Sequence, residues 1–285
     1  MYVQKQSIAA VVVTYNRVNL LKQVIKALDG QTRQVDEIIV VNNCSTDGTA
    51  KWLSGQQHLT VINQGNLGGA GGQNAGIRRA YERGHDWIWC MDDDGRPHVD
   101  ALENFERTQC IELEKYGVMN AAVYHSDEPQ AGCISLSQIV AKSDRASFEL
   151  IGAQMFNGTF ISREAYEKIG NVISELFIWG DEVNYFMRSV RAYGAVPVLL
   201  RCLHYHPRTS LDISTPTWKQ YYHVRNAVFN AKTLSRFGKI GVAYVIGNLA
   251  MRSFRGLIRP RVLIVGIRDG LSGRLGIRHN AYGLH

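Results

Sequence analysis

Trp87-Ile-Trp-Cys-Met-Asp-Asp-Asp-Gly95 runs five apolar side chains straight into three adjacent carboxylates. A short continuous apolar run bounded by turn residues is the pattern of a strand covered on both faces of a parallel sheet. Three carboxylates at its end repel one another, and partial burial adds to that cost unless a cation offsets it. The same pattern occurs upstream, in Ile8-Ala-Ala-Val-Val-Val-Thr14 and Glu37-Ile-Ile-Val-Val-Asn42. Between those runs Leu21, Val24, Ile25 and Leu28 fall at helical spacing, which makes a βαβ unit. The alternation continues with a helix after Asp47-Gly48, a strand near Leu59 to Asn63, a helix from about Gly72 to Arg83, and the strand Asp86 to Met91. This predicts an open α/β sheet, mostly parallel and flanked by helices, with its ligand site beyond the carboxyl ends of the strands. Polar clusters fall at those ends: Thr14-Tyr15-Asn16-Arg17, then Asn42-Asn-Cys-Ser-Thr-Asp-Gly48, then Asp92-Asp93-Asp94.

Further on, residues about 110 to 155 are less regular and are expected to cross the sheet edge. Gly158 to Ser162 and Val196 to Arg201 read as strands. Arg163 to Ile169, Asp181 to Tyr193, Trp218 to Phe237 and Lys239 to Arg255 read as helices. The five cysteines, Cys44, Cys90, Cys110, Cys133 and Cys202, form no CxxC pair, so neither a disulfide framework nor a zinc knuckle is indicated. A reducing, cytoplasmic setting is the expectation. The apolar run near the N-terminus reads as a first strand rather than a signal peptide, and no segment approaches the ~20 apolar residues that span a bilayer. The net charge of +7 is unevenly spread. From residue 213 onward there are 12 Lys plus Arg against one acid, Asp269, whereas residues 1–212 carry 20 basic and 24 acidic side chains. The basicity belongs to the tail, which argues against nucleic-acid binding by the body of the chain.

A hard divalent ion, Mg²⁺ or Mn²⁺, with a diphosphate completing its octahedron, suits Asp92-Asp93-Asp94. For an isolated triplet a helix N-cap is an equal alternative; the strand context favours the metal. Asn66-Leu-Gly-Gly-Ala-Gly-Gly-Gln-Asn-Ala-Gly76 is a glycine-rich stretch opening a helix, where backbone N–H groups can approach an anion. It matches neither the dinucleotide fingerprint nor the P-loop. Asp181 and Glu182 begin a helix, either as favourable charge at its N-terminus or as a general base, and Trp179 beside them offers a flat platform for a ring substrate. Arg188 could pair with one of these carboxylates. His204 and His206 follow the last sheet strand; a lone histidine there is more often structural, but the neighbouring clusters favour a ligand.

Taken in order, Thr14–Arg17, Asn43–Gly48, Asn66–Gly72, Asp92–Asp94, Gly180–Arg188 and Tyr221-Tyr-His-Val-Arg-Asn226 resemble family-2 inverting glycosyltransferases of the GT-A fold, over about residues 7 to 230. Within that family the chain is similar to bacterial galactofuranosyltransferases and rhamnosyltransferases. The resemblance implies that Thr14, Tyr15, Asn16, Arg17, Asn43, Asn66, Gly68, Gly69 and Asn74, with Asp92 and Asp93, bind the nucleotide-sugar donor. It also implies that Asp92, Asp94 and His206 hold Mn²⁺ or Mg²⁺, that Asp181 or Glu182 is the base, and that Trp179, Gly180 and His204 face the acceptor. Two departures stand out. Many relatives have Asp where this chain has Asn42 or Asn43, and the base motif reads Asp-Glu rather than Asp-Asp or Glu-Asp. Spacing to Arg188 favours Glu182; residue type favours Asp181.

The implied donor is UDP-galactofuranose and the acceptor a growing cell-surface glycan such as lipopolysaccharide O-antigen or capsule, with dTDP-rhamnose as the alternative donor. A nucleotidyltransferase is disfavoured, because that class opens with a glycine- and arginine-rich loop where this chain has Thr14-Tyr-Asn-Arg17. Residues 1–237 are expected to form the catalytic domain and 238–285 a basic amphipathic helical extension. That extension could lie on an anionic membrane, placing the protein peripherally at the inner face of the cytoplasmic membrane with a lipid-linked acceptor, or it could simply pack on the core.

Overall fold

The three apolar runs near the start of the chain are neighbouring strands of one sheet in the computed structural model, which describes residues 6–108, 113–125, 136–144, 147–150, 155–207 and 214–284. The first half alternates: β1 (Ile8–Thr14), α1 (Val18–Asp29), β2 (Glu37–Asn42), α2 (Thr49–Leu53), β3 (Leu59–Asn63), α3 (Gly68–Glu82) and β4 (Trp87–Asp92). Then come β5 (Arg96–Pro97), α4 (Ala101–Thr108), β6 (Val118–Tyr124), α5 (Leu136–Ser143), β7 (Phe148–Glu149), β8 (Asn157–Ser162), α6 (Arg163–Ile169), α7 (Asp181–Tyr193) and β9 (Val198–Tyr205). Three helices follow, α8 (Thr217–Leu234), α9 (Gly238–Phe254) and α10 (Pro260–Ser272). Cys110 and Cys133 lie outside the described residues.

The nine described strands form one sheet in the order β3-β2-β1-β4-β8-β6-β9-β5, with β7 also paired to β9. The block β3-β2-β1-β4 is parallel throughout. Beyond β4 the sheet is mixed: β8 runs antiparallel to β4 and β6, while β6 and β9 are parallel. The expected mostly parallel sheet is therefore its first half. The expectation that residues 110 to 155 only cross the sheet edge is corrected by β6, which lies inside the sheet between β8 and β9.

Contacts divide the chain into two units, one of Met1–Asn66, Gly72–Asn171 and Ser189–Arg208, the other of Leu67–Gly71, Val172–Arg188 and Thr209–His285. In the first, alternation along β1 explains the unbroken apolar run. Ile8, Ala10 and Val12 pack with Leu21, Val24, Ile25 and Leu28 of α1, and the intervening positions face α3. A Cβ on Gly76 would stand 2.2 Å from Cγ1 of Val11, and one on Gly72 would stand 2.3 Å from Cγ1 of Val13. Those glycines let a helix lie directly on a strand, so much of the Gly-rich stretch is helix–sheet packing rather than an open loop. In the second unit Tyr221, Tyr222, Val224 and Val228 of α8 pack with Leu249 of α9 and Val262 of α10.

Candidate active site

The residues singled out above fall into two groups. The first stands at the carboxyl ends of β1, β2, β4 and β9. Asp93 is buried, and it ties strand ends together: it accepts from Thr14 Oγ1 at 2.8 Å, from the Tyr15 amide at 3.3 Å and from Arg17 Nη1 at 3.1 Å. The same Arg17 nitrogen lies 2.6 Å from Oδ2 of Asp94. The loops after β1 and β2 are joined similarly, the Asn16 amide donating to Ser45 Oγ at 3.0 Å and the Thr46 amide to Asn16 Oδ1 at 2.7 Å. Asp47 supplies the cap that α1 lacks, accepting from the Val18 amide at 2.9 Å. Asn42 and Asn43 accept from the Ser45 amide (3.1 Å) and from Gln64 Nε2 (2.7 Å). Asn66 and Asn74 are half-buried, and the Asn74 carbonyl accepts from Asn171 Nδ2 at 2.9 Å.

Asp92 and Asp94 flank Asp93. Asp92 accepts from Gln73 Nε2 at 3.2 Å. Burial, then repulsion by Asp94 and Asp93, pushes its carboxyl up to about 7 against the pull of His206 and Gln73. The two-residue strand β5 pairs Arg96 with Tyr205 and Pro97 with His204, which fixes the segment after Asp94 beside the end of β9. His206 Nε2 consequently lies 3.3 Å from Oδ1 of Asp94. Burial acts on both partners, but it is outweighed: the imidazole and then Arg17 hold Asp94 below the usual carboxylate range, and Asp94 and Asp92 raise His206. Burial pushes Asp93 upward, with Arg17 and Thr14 opposing.

His204 is 0 % exposed. A Cβ on Gly95 would lie 2.5 Å from its Nε2, and Gly158, at φ 74° in the register shift between β4 and β8, leaves room for the other side of the ring. Burial and then His206 push this imidazole down to about 3, so it is neutral. A ring enclosed in this way has no surface to offer an acceptor; it packs behind the carboxylates.

The oxygen and imidazole donors of Asp92, Asp94 and His206 suit Mn²⁺ or Mg²⁺. Oδ1 of Asp94 is buried and, among the described residues, makes no well-formed hydrogen bond beyond its 3.3 Å ion pair with His206, and burial already disfavours the charged form of Asp92. No three His, Cys, Asp or Glu side chains among the described residues converge into a ready metal cage.

The second group surrounds the start of α7. Asp181 is 6 % exposed. Glu182 is half-buried, and its Oε2 accepts from the Gly180 amide at 2.8 Å. Arg188 donates from Nε to Asn184 Oδ1 at 2.9 Å. The preceding loop is conformationally costly: Phe177 and Trp179 hold φ 67° and 55°, each worth ~1–3 kcal/mol of strain in a non-glycine residue. The half-buried Trp179 ring meets His223 edge-on at 6.3 Å, and the Lys219 ammonium is 5.8 Å from its centre. Gly68, at φ 71°, lies against Phe177, whose carbonyl a Cβ would approach to 2.0 Å; its expected donor contact is thus preceded by a packing role. Gly69 is half-buried beside it. Sequence reasoning used Arg225 and Asn226 only as part of a motif and passed over Gln73 and Asn230. The signal for the last was an Asn at i and i+4 on one helix face.

An α/β sheet with paired aspartates and a histidine at its strand ends, and a carboxylate pair opening a later helix, is the arrangement that the resemblance to GT-A glycosyltransferases implies. Residues 9–131 match the glycosyl transferase family 2 profile. Galactofuranosyltransferase GlfT1 of Mycolicibacterium smegmatis is 31% identical over 214 residues, covering 70% of each chain, and the Mycobacterium tuberculosis GlfT1 is 32% identical over 215 residues, covering 71% of this chain and 70% of its own. The chain belongs to glycosyltransferase family 2. Among solved structures, Staphylococcus aureus TarS 1–349 shares the fold at TM-score 0.57 and 15% identity, over 86% of this chain and 69% of TarS 1–349. Its complex with UDP-GlcNAc matches at TM-score 0.55 and 14% identity, over 86% and 71%.

Proposed function

We propose that the protein transfers galactofuranose from UDP-galactofuranose, with inversion, to a growing cell-surface glycan of the O-antigen or capsule kind. The observation that carries this is the juxtaposition of Asp94 and His206, at 3.3 Å, beside the half-buried Asp92 at the strand ends, where an α/β sheet binds its ligand. The names of the GlfT1 relatives support the sugar, and the UDP and UDP-GlcNAc complexes of TarS support a uridine diphosphate donor.

Asp92, Asp94 and His206 would hold Mn²⁺ or Mg²⁺, which when bound supplies Lewis-acid neutralisation of the departing diphosphate. The chain's own contribution begins with Arg17, whose guanidinium already bridges Asp93 and Asp94 and adds positive charge on the leaving-group side. Thr14, Tyr15, Asn16, Asn43, Asn66 and Asn74 bracket the nucleotide. Glu182 is the general base, because it is the member of the pair that is only half-buried. The Gly180 amide fixes one of its oxygens and leaves the other to take the acceptor hydroxyl's proton. Asp181, almost fully buried, supports the helix start. A single in-line displacement then inverts the anomeric centre. In this reading residues 1–237 carry catalysis and 238–285 hold the protein on the inner face of the cytoplasmic membrane, where a lipid-linked acceptor is presented.

The test is a donor panel of UDP-galactofuranose, dTDP-rhamnose and GDP-sugars with Mn²⁺. Turnover of the UDP-linked donor, lost on chelation, is expected; turnover of dTDP-rhamnose alone would replace the donor, and full activity in chelator would remove the metal. Glu182→Gln should lower transfer by ~10²–10⁴-fold, the usual worth of a general base, without changing UDP affinity. Asp181→Asn should cost less, and the reverse order would reassign the base.

A further inference from the structure

Six consecutive backbone carbonyls, from Glu175 to Gly180, are each held by a donor from elsewhere in the second unit, and five of the six by one face of α8. Arg225, fully buried, donates from Nη2 to the carbonyls of Glu175 (3.1 Å) and Leu176 (2.9 Å), and from Nη1 to that of Gly276 (2.6 Å). Its Nε donates to Asn226 Oδ1 at 2.9 Å, which aims the Asn226 amide group. That amide donates to the carbonyls of Leu176 (2.9 Å), Ile178 (3.0 Å) and Trp179 (2.5 Å). Asn230 Nδ2 takes the Gly180 carbonyl at 2.8 Å, and its Oδ1 accepts from Asn184 Nδ2 at 2.8 Å. The Phe177 carbonyl accepts from the Ala70 amide at 3.1 Å.

A buried guanidinium is a costly way to satisfy carbonyls that solvent would serve in an ordinary surface loop. The arrangement makes sense when the loop must keep a shape it would not choose. Phe177 (φ 67°, ψ −68°) and Trp179 (φ 55°) both hold positive φ, and Gly180, at φ 99°, sits so close to α8 that a Cβ would stand 2.7 Å from that of Asn226. The loop ends in Trp179, Gly180 and the carboxylates that open α7, so its shape determines where the aromatic platform and the Gly180 amide under Glu182 stand.

We propose that Arg225, Asn226 and Asn230 are positioning residues for acceptor recognition: they clamp the 175–180 backbone and thereby fix Trp179 and Glu182 for a glycan hydroxyl. This rests on the glycosyltransferase reading above. The clamp works through donors, so Asn226→Asp, equal in size but with an oxygen facing the carbonyls, should spring it. Arg225→Lys, which loses the planar fork, should fail to substitute.

The experiment measures three quantities in the full-length protein: UDP affinity, the acceptor KM with the donor that turns over, and acrylamide quenching of Trp179, taken as the difference from the same protein carrying Trp179→Phe. Asn226→Asp and Arg225→Lys should each raise the acceptor KM by about ten- to a hundredfold, the usual effect of ~1 Å misplacement. Trp179 should become more quenchable while UDP affinity stays at its wild-type value. Unchanged quenching in Asn226→Asp overturns the clamp; increased quenching with an unchanged acceptor KM overturns its link to the acceptor. If Asn226→Asp does not fold, Asn230→Ala, which removes one carbonyl contact, gives the same readouts at smaller amplitude. Failure of the galactofuranose assignment shows in wild-type protein on the donor panel, and the comparison then proceeds with the donor that is used.

Discussion

The three carboxylates that end β4 do different work although they are adjacent. Asp93 is consumed inside the protein by Thr14, Tyr15 and Arg17, whereas Asp92 has one weak donor in Gln73 and a carboxyl lifted to about 7. In the unfolded chain Asp92 ionises near 4. Between about pH 4 and 7 the folded metal-free protein therefore holds a proton that the unfolded chain has released, and stability falls as pH rises. His206 acts in the same direction at the upper end, since its raised value means stabilisation that is lost on deprotonation. Asp94, held low, gives stability that is present above its ordinary range and lost only on acidification. The melting temperature in chelator should thus decline from pH 5 to pH 8, by at most about 1.4 kcal/mol per unit for one group, or about 2–4 °C per kcal/mol. Asp92→Asn should flatten that slope, and Mn²⁺ should raise the melting temperature more at pH 8 than at pH 5. A flat profile in the wild type would mean that Asp92 ionises freely. The sequence displayed this triplet as three equivalent charges; nothing in Asp-Asp-Asp says which member the threonine ending β1 and the arginine in the loop after it will claim. The pairing is a consequence of β1 and β4 being neighbours, which is why the bridge that Arg17 makes between two carboxylates was not legible in the sequence.

At the level of elements, the sequence was most readable where both faces of a strand are covered, as in β1, β2 and β4, and where helical spacing coincided with a clear start, as at α6 and α7. It was least readable at β6, Val118-Met-Asn-Ala-Ala-Val-Tyr124. Its Asn120 is fully buried, yet satisfied, accepting from Thr159 Oγ1 at 2.6 Å and donating to the Ala121 carbonyl at 2.9 Å. A buried asparagine between Met119 and Ala121 looks like a loop until its partner on β8 is known. The Gly-rich start of α3 misled in the opposite direction, because glycine density signals a loop locally while Gly72 and Gly76 answer to Val13 and Val11 on the strand beneath. Gly76→Val should accordingly push α3 off β1 and destabilise the fold by about 1–3 kcal/mol as overpacking does. Gly69→Ala, where a Cβ meets nothing within 4 Å, should stay within about 0.5 kcal/mol. Urea unfolding of the two variants separates these outcomes, and equal midpoints would refute the packing account of the glycines.

For the whole molecule the remaining question is what the basic C-terminal region does with its exposed apolar surface. No described helix is long and apolar enough to cross a membrane. One side of α9, through Val245, Ile246 and Leu249, packs into the second unit's core. Its other side carries Ile240, Tyr244, Met251 and Phe254, with Phe254 89 % exposed, at positions that recur every three to seven residues. Exposed Lys239, Arg255, Arg259 and Arg261 accompany this stripe. Water is a poor solvent for such a stripe, and under the proposed membrane reading the cations beside it would select an anionic interface over a neutral one. Because α8 packs against α9 and α10, deleting the tail would unseat the clamp on the 175–180 loop, so surface substitutions are the sound probe. Each Lys or Arg near an anionic surface contributes about 1 kcal/mol. Arg255→Glu with Arg259→Glu should therefore weaken co-sedimentation with phosphatidylglycerol vesicles by at least about tenfold, more at low salt than at high. Ile240→Ser with Phe254→Ser should weaken it at every salt concentration, since buried apolar area is not screened. Both variants should turn over a soluble acceptor at the wild-type rate. Vesicle binding that survives both pairs of substitutions would show that this face of α9 is not a membrane surface, and no binding by the wild type would remove the membrane reading.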